Sequence, residues 1–497
     1  MKNARILAID QGTTGTTALL LDAHGHVRAR GYSELPQHFP RPGWVEHDGE
    51  EIWRSVAVAV RRALAAGGDP RGQRVAGIGI TNQRETALLW DRKSGRPAGR
   101  AIVWQDRRTH ERCQALRRAG AEPGIRRLTG LVLDPYFSAT KVEWMLRADA
   151  AKRTAARRGT LAFGTIDSWL VWRLTGGAVH ATDPTNASRT MLYDIRARRW
   201  SAPLLSRFGV PAAVLPEVRP SSGDFGHTRG ASFLRDGIPI AGVAGDQQAA
   251  LFGQGCIAPG ASKNTYGTGA FLLLHTGSRA VASRSGLLTT VACGARGEIA
   301  YALEGSVFIA GAALQWLRDG LGLIRRAAES EALARSVADS AGVVLVPAFV
   351  GLGAPHWRAD VRGAIFGLTR GTTRAHLVRA ALESLAFQSC DLVAAMEHDA
   401  RARVRRLRVD GGAAANDFLM QHQADLLGVP VERPRVIETT ALGAGLLAGL
   451  GVGFWTSHRD VERAREVERV FKPRRTASWR RAERARWQRA VETLLGT

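Results

Sequence analysis

Residues 6–17 read ILAIDQGTTGTT, and no other stretch constrains the fold as tightly. Ile6, Leu7, Ala8 and Ile9 form an unbroken apolar run, as in a buried strand. That strand must then turn, because Gly12 and Gly15 permit close backbone approach and positive φ. What the turn offers is chemically specific: the Asp10 carboxylate, the Gln11 amide, the hydroxyls of Thr13, Thr14 and Thr17, and successive backbone N–H groups, which make an anion-binding concavity. An aspartate beside phosphates is well placed for Mg²⁺. No Gly-Lys-Ser/Thr closes the turn, so it is not a Walker loop. An Asp-Gln-Gly turn after a strand is equally the tip of an ordinary hairpin, and on this stretch alone both readings stand.

Two further glycine turns lie far downstream. KNTYGTGAFLLL (263–274) joins Gly267-Thr268-Gly269 to an apolar β run, and LRVDGGAAAN (407–416) sets Asp410, Gly411 and Gly412 between a strand and a helix start. Three such turns, each beside a strand, could converge on one nucleotide. A chain of 497 residues exceeds what one core serves. After Gly253 the β, β, β, α order of the first half begins again, which predicts two related α/β halves, 1–253 and 254–497, with a cleft between them.

The formal net charge of +24 could mark a nucleic-acid or membrane partner. Its arginines are instead spread from end to end among alanines, as in a general compositional bias, so no nucleic-acid partner is expected. Binding driven by charge would show as salt-sensitive retention of DNA. Cys113, Cys256, Cys293 and Cys390 are too far apart for a zinc or redox motif. The first apolar run is too short for a signal peptide, and the glycine-laced 439–455 stretch is shorter than a bilayer span. A cytoplasmic protein without membrane insertion is the expectation.

Taken in order, Asp48 is placed to cap a helix to about Ala66 with Glu50 and Glu51 in its first turn. The strand VAGIGIT (75–81) empties into Asn82, Gln83, Arg84 and Glu85, as at the carboxyl edge of a sheet where ligands bind. Arg84 and Glu85 could grip a polyol as donor and acceptor, or form a surface ion pair. AIVWQDRR (101–108) carries Trp104, and DPYFSATKVEWML (134–146) brings Tyr136 into a turn before a helix. In IPIAGVAGDQQAALFG (238–253) a strand ends at Gly245, and Asp246 and Gln247 open a helix, where Asp246 could also be a simple cap. SVFIAGAALQWL (306–317) reads as a helix with Gly311 and Gln315 on one face. ALGAGLLAGLGVG (441–453) spaces small residues for a helix lying close against its neighbour, and the tail from Ser478 is an amphipathic helix striped by Trp479, Trp487, Val491 and Leu494.

With these residues in view, the chain resembles the FGGY carbohydrate kinases over nearly its whole length. The stretches that carry the resemblance include DQGTT, PGWVEHD, GITNQRET, GLVLDPYFSATK, TNASRTML, AGDQQAALFGQ, KNTYGTG, ALEGSVFIAGAALQWLRD, RGAIFGLTRG and LRVDGGAAAN. The resemblance implies two ribonuclease-H-like domains of the actin/hexokinase type closing on ATP and a small polyol, and ATP-dependent phosphorylation of glycerol. It assigns glycerol to Arg84, Glu85, Tyr136, Asp246 and Gln247, with Trp104 and Phe271 as apolar walls. It assigns the nucleotide to Thr13, Thr14, Gly15, Thr17, Thr268, Gly311, Gln315, Gly412 and Asn416, Mg²⁺ to Asp10 and Asp246, and the role of general base to Asp246. A homodimer or homotetramer is expected with it. Three departures stand out: Thr17 replaces an Arg that many members carry, His356 occupies a position where Tyr is commoner, and the 228–236 loop lacks the glycine-rich run and the histidine through which some relatives are regulated, His227 being the nearest. A kinase for another polyol or ketose, and an actin-like nucleotide-gated sensor, are the alternatives; a sensor would have no use for a base at Asp246.

Overall fold

The computed structural model describes residues 3–496 apart from 359, 458, 461, 463 and 464. The opening strand β1 (Arg5–Gln11) hairpins into β2 (Gly15–Leu21), and β3 (Val27–Glu34) continues the antiparallel meander. On its other side β1 pairs in parallel with β4 (Val75–Asn82), which pairs in parallel with β5 (Ile240–Gly245), giving the order β5-β4-β1-β2-β3. Because β1 and β4 are covered on both faces, they are continuous apolar runs rather than alternating ones.

The second half repeats this plan. Strands β6 (Ser262–Tyr266), β7 (Ala270–Gly277), β8 (Leu288–Cys293) and β9 (Ile299–Val307) are antiparallel neighbours in the order β8-β9-β7-β6. β6 then pairs in parallel with β10 (Leu407–Asp410), which pairs in parallel with β11 (Val431–Pro434), and β12 (Val467–Phe471) closes the edge. Each half thus has a central strand with an antiparallel unit on one side and two parallel strands on the other, the unit counting three strands with β1 in the first half and four with β6 in the second, and each central strand ends in a glycine turn. The β, β, β, α order read from the sequence is thus repeated with one additional antiparallel strand in the second half.

Nine helices matter for the site and its support: α1 (Gly49–Ala66), α2 (Ser138–Arg147), α3 (Ile166–Leu174), α4 (Asp246–Gly253), α5 (Gly311–Gln315), α6 (Arg374–Ala400), α7 (Asp417–Leu427), α8 (Thr439–Gly451) and α9 (Ala477–Leu495). Helix α1 starts as its sequence dictates, with the Asp48 carboxylate accepting from the N–H groups of Glu50 and Glu51. Helix α8 stands in sequence between β11 and β12 of the second sheet but lies against the first. A methyl group at Gly79 of β4 would stand 2.1 Å from the carbonyl oxygen of Ala444, and one at Gly443 would stand 1.9 Å from that of Ala249 in α4. Backbone rests on backbone there, which is why the helix is built of Ala, Gly and Leu. Trp487 and Val491 of α9 are buried, and Trp487 stacks on Phe387 of α6 at 5.2 Å.

Two local expectations are corrected. The sequence places a helix over 306–317, but β9 runs to Val307 and α5 begins only at Gly311, because the N–H groups of Ala310 and Gly311 donate to Thr268 and Gly267 instead of to a preceding turn. Residues 343–349 (VVLVPAF) read in sequence as a strand throughout, but the strand covers only Val344–Val346, because Pro347 has no N–H to donate to a ladder. Among the described residues no helix is long and apolar enough to cross a membrane, and all four cysteines are free and buried.

Candidate active site

The polar residues after β4 do not lie on the surface. Arg84 and Glu85 are 2% and 1% exposed, which removes the surface ion pair as an explanation and demands partners for both charges. Arg84 has them on every side. Nη1 donates to Glu304 Oε2 at 2.6 Å and to Gln248 Oε1 at 3.2 Å, Nη2 to Glu304 Oε1 at 3.0 Å and to the Tyr136 hydroxyl at 3.4 Å, and Nε lies 3.0 Å from Asp246 Oδ1. Glu85 accepts from Arg189 Nε at 2.5 Å, while its backbone oxygen accepts from Ser138 Oγ at 2.9 Å. Its φ of 60° puts a non-glycine residue in the left-handed region, a conformation that persists only where surroundings impose it and that gathers at functional sites.

Asp246 is the first residue of α4, with Gly245 at the cap position, and its Oδ1 accepts from the Gln247 N–H at 2.7 Å, so the carboxylate serves the first turn of the helix as well as pairing with Arg84. Its side chain keeps 30% exposure while paired with Arg84, leaving a carboxylate edge open to a ligand. The next residue, Gln247, accepts from Lys263 Nζ at 2.5 Å, and Lys263 also donates to Thr265 Oγ1 at 2.7 Å. Burial pushes Lys263 down to about 8, against the pull of Asp410 and Asp246.

Aromatic rings enclose the charges. Tyr136 meets Trp104 edge to face at 5.6 Å, and Trp104 meets Phe271 at 6.5 Å. Trp104 and Tyr136 come from the first half and Phe271 from β7 of the second, so the apolar wall spans both. Trp104 Nε1 donates to Thr13 Oγ1 at 2.9 Å, tying that wall to the first glycine turn.

That turn is closed by Gly12 N–H donating to Gly15 O at 2.9 Å, with Thr13 and Thr14 at its tip and Thr17 opposite Asp10 in the β1–β2 register. The second turn packs on α5, where a methyl group at Gly311 would stand 2.6 Å from the carbonyl oxygen of Gly267. Thr268 and Gly311 are thereby brought together, and Gln315, at the end of α5, is exposed. In the third, Gly412 has an open face, and Asn416 caps α7 by accepting from Leu419 N–H while donating to Ser330 Oγ.

Asp10 is pushed up to about 7, by burial first and then by the carboxylates of Asp246 and Glu438. Carboxylates gathered so that one is driven toward its neutral form fit a divalent cation. Among the described residues no group of three or more His, Cys, Asp or Glu side chains forms a complete metal cage. Mg²⁺, which keeps its waters and takes one or two carboxylates plus phosphate oxygens, needs none.

Sequence reasoning missed Arg189, Glu304, Gln248 and Lys263 as members of this site. Their signal was a charge set inside otherwise apolar surroundings: Glu304 interrupts the strand IAYALEGSV, and Lys263 stands in β6. Arg189 gave less warning, since TNASRTML reads as a polar loop although the structure buries it entirely.

Residues 5–253 match the N-terminal domain, and 262–452 the C-terminal domain, of the FGGY family of carbohydrate kinases. The chain belongs to that family. A glycerol kinase of Myxococcus xanthus is 56% identical over 98% of this FGGY chain and 98% of its own, and one of Xanthomonas axonopodis pv. citri is 54% identical over 100% and 99%. The crystal structure of Plasmodium falciparum glycerol kinase with ADP superposes with a TM-score of 0.92 at 36% identity, covering 99% of this FGGY kinase and 98% of that chain.

Proposed function

We propose that this FGGY kinase transfers the terminal phosphoryl group of ATP to a terminal hydroxyl of glycerol, yielding sn-glycerol 3-phosphate. The observation that carries the reading is the convergence of Arg84, Glu85 and Asp246 beside the rings of Trp104, Tyr136 and Phe271. The site holds a buried donor, a buried acceptor and a partly open carboxylate, with apolar faces for a three-carbon skeleton. Full-length identity above 50% to glycerol kinases supports the same choice.

Phosphoryl transfer asks the protein for alignment and for charge stabilisation. Arg84 donates to one glycerol hydroxyl and Glu85 accepts from another, fixing which terminal oxygen faces the nucleotide. Gln247, held by Lys263, orients a third contact. Asp246 accepts the proton of the attacking hydroxyl. Thr13, Thr14 and Gly15 of one half, with Thr17 behind them, and Thr268, Gly311, Gln315, Gly412 and Asn416 of the other receive the nucleotide and its phosphates through backbone N–H groups and side-chain hydroxyls and amides. Asp10 and Asp246 would hold Mg²⁺, which would supply neutralisation of phosphate charge when bound. The halves meet at about Gly253, and their closure around the aromatic wall excludes water and so limits wasteful ATP hydrolysis. Dependence on ATP and four unpaired buried cysteines support a cytoplasmic setting.

The test is a coupled ADP-release assay with Mg-ATP on glycerol, erythritol and xylulose. Glycerol is expected to give the highest kcat/KM; faster turnover of a larger substrate would overturn the assignment in favour of another polyol or ketose.

A further inference from the structure

Glu304 lies within β9 in the second half, fully buried, and the two arginines it is ion-paired with, Arg84 and Arg189, belong to the first half. Its Oε2 accepts from Arg84 Nη1 at 2.6 Å, and its Oε1 accepts both from Arg84 Nη2 at 3.0 Å and from Arg189 Nη2 at 3.0 Å. Arg189, fully buried as well, passes the connection on through Nε to Glu85 Oε1 at 2.5 Å. Arg84 Nε lies 3.8 Å from Glu85 Oε1, so two guanidinium groups and two carboxylates form a buried ring whose fourth side is an ion pair rather than a hydrogen bond, with Asp246 paired to Arg84 at its edge. Two of its members, Arg84 and Glu85, are the proposed glycerol ligands; the other two face them from behind.

Charge-assisted, bidentate bonds of this kind fix orientation as well as energy. Burial would raise the Glu304 carboxyl, yet Arg189 and Arg84 outweigh it and hold the group down to about 2. The guanidinium plane of Arg84 is therefore set by a residue on the other half, and the Glu85 carboxylate by Arg189. Resting on the assignment of Arg84 and Glu85 to glycerol, we infer that Glu304 and Arg189 are positioning residues for the glycerol subsite, and that Glu304, reaching across from the second half, makes polyol affinity dependent on interdomain geometry. A nucleotide held mainly by the glycine turns would not sense the loss of this ring.

The experiment is steady-state kinetics of Glu304→Gln, Glu304→Asp and Arg189→Lys beside Arg84→Ala, each well below its own unfolding midpoint. Glu304→Gln keeps the shape and removes the charge, and is expected to raise the glycerol KM about 10- to 100-fold, with the ATP KM moved less than about 2-fold. Glu304→Asp, which keeps the charge at a shorter reach, and Arg189→Lys, which keeps a cation, should fall between it and the parent. They carry the comparison if Glu304→Gln does not fold. An unchanged glycerol KM, or equal rises in both KM values as from general loosening, overturns the inference. If Arg84→Ala raises the glycerol KM while the ring variants do not, the positioning role alone fails. If Arg84→Ala also leaves it unchanged, the glycerol assignment itself fails and the inference falls with it.

Discussion

A single methyl group at Gly443 is expected to disturb the proposed base from a distance. In Gly443→Ala the new carbon would stand 1.9 Å from the Ala249 carbonyl oxygen, 2.7 Å from the Ala249 carbonyl carbon and 2.9 Å from the Gly253 nitrogen. All three are backbone atoms, so no side-chain rotation relieves the clash. Ordinary contact begins at about 3.4 Å, so α8 and α4 would have to part by about 1.5 Å. Overpacking on this scale costs about 3 kcal/mol or more, which exceeds the roughly 1 kcal/mol that alanine contributes over glycine in a helix. Destabilisation should therefore win. Ala249 lies three residues after Asp246 in the same short helix, so part of the displacement reaches the carboxylate, and a misplacement of about 1 Å lowers kcat on the order of 100-fold. Denaturant unfolding followed by kcat on glycerol measures both. A variant as stable as the parent with an unaltered kcat would show that α4 and α8 do not rest on each other as described.

Three further outcomes are expected. The Asp10 carboxyl, raised in the folded protein from 3.8 to about 7, binds a proton there that the unfolded chain has released. Stability of the ligand-free protein should consequently fall as pH rises through that interval, and Asp10→Asn should flatten the slope of Tm against pH between 4 and 7. Asp48→Ala removes the acceptor for two N–H groups of α1 and should cost about 1 kcal/mol in thermal or denaturant unfolding, with the glycerol KM unmoved. Duplex DNA at low salt should not be retained, since the arginines are spread along the sequence among alanines rather than clustered; salt-sensitive retention in a gel-shift assay would revive the nucleic-acid reading.

Much of the fold was legible because its signals are local. The apolar runs ending in glycine turns give strand, turn and strand at Gly12 and Gly267 and strand, turn and helix at Gly411, and the small-residue spacing of ALGAGLLAG foretells a helix pressed against a neighbour. Which neighbour is a tertiary matter: nothing in the sequence says that α8 crosses to the first sheet. The residues proposed for the substrate stand out in the sequence for the same reason, because Arg84, Glu85, Asp246 and Gln247 come just after strands. Glu304 and Arg189 were not, since the need for them arises only when two distant segments bury Arg84 and Glu85 together and leave charges to be neutralised. The misplaced start of α5 has a similar origin. SVFIA has helical spacing, but its backbone is claimed by β7 and by the turn at Thr268.

The central claim is that Asp246 takes the proton from glycerol as phosphorus is attacked. Glycerol-dependent ADP release by Asp246→Asn, measured with saturating Mg-ATP, tests it most directly. The rate should fall by roughly 100- to 10,000-fold in a protein that still folds. Release at the parent's rate would contradict the assignment.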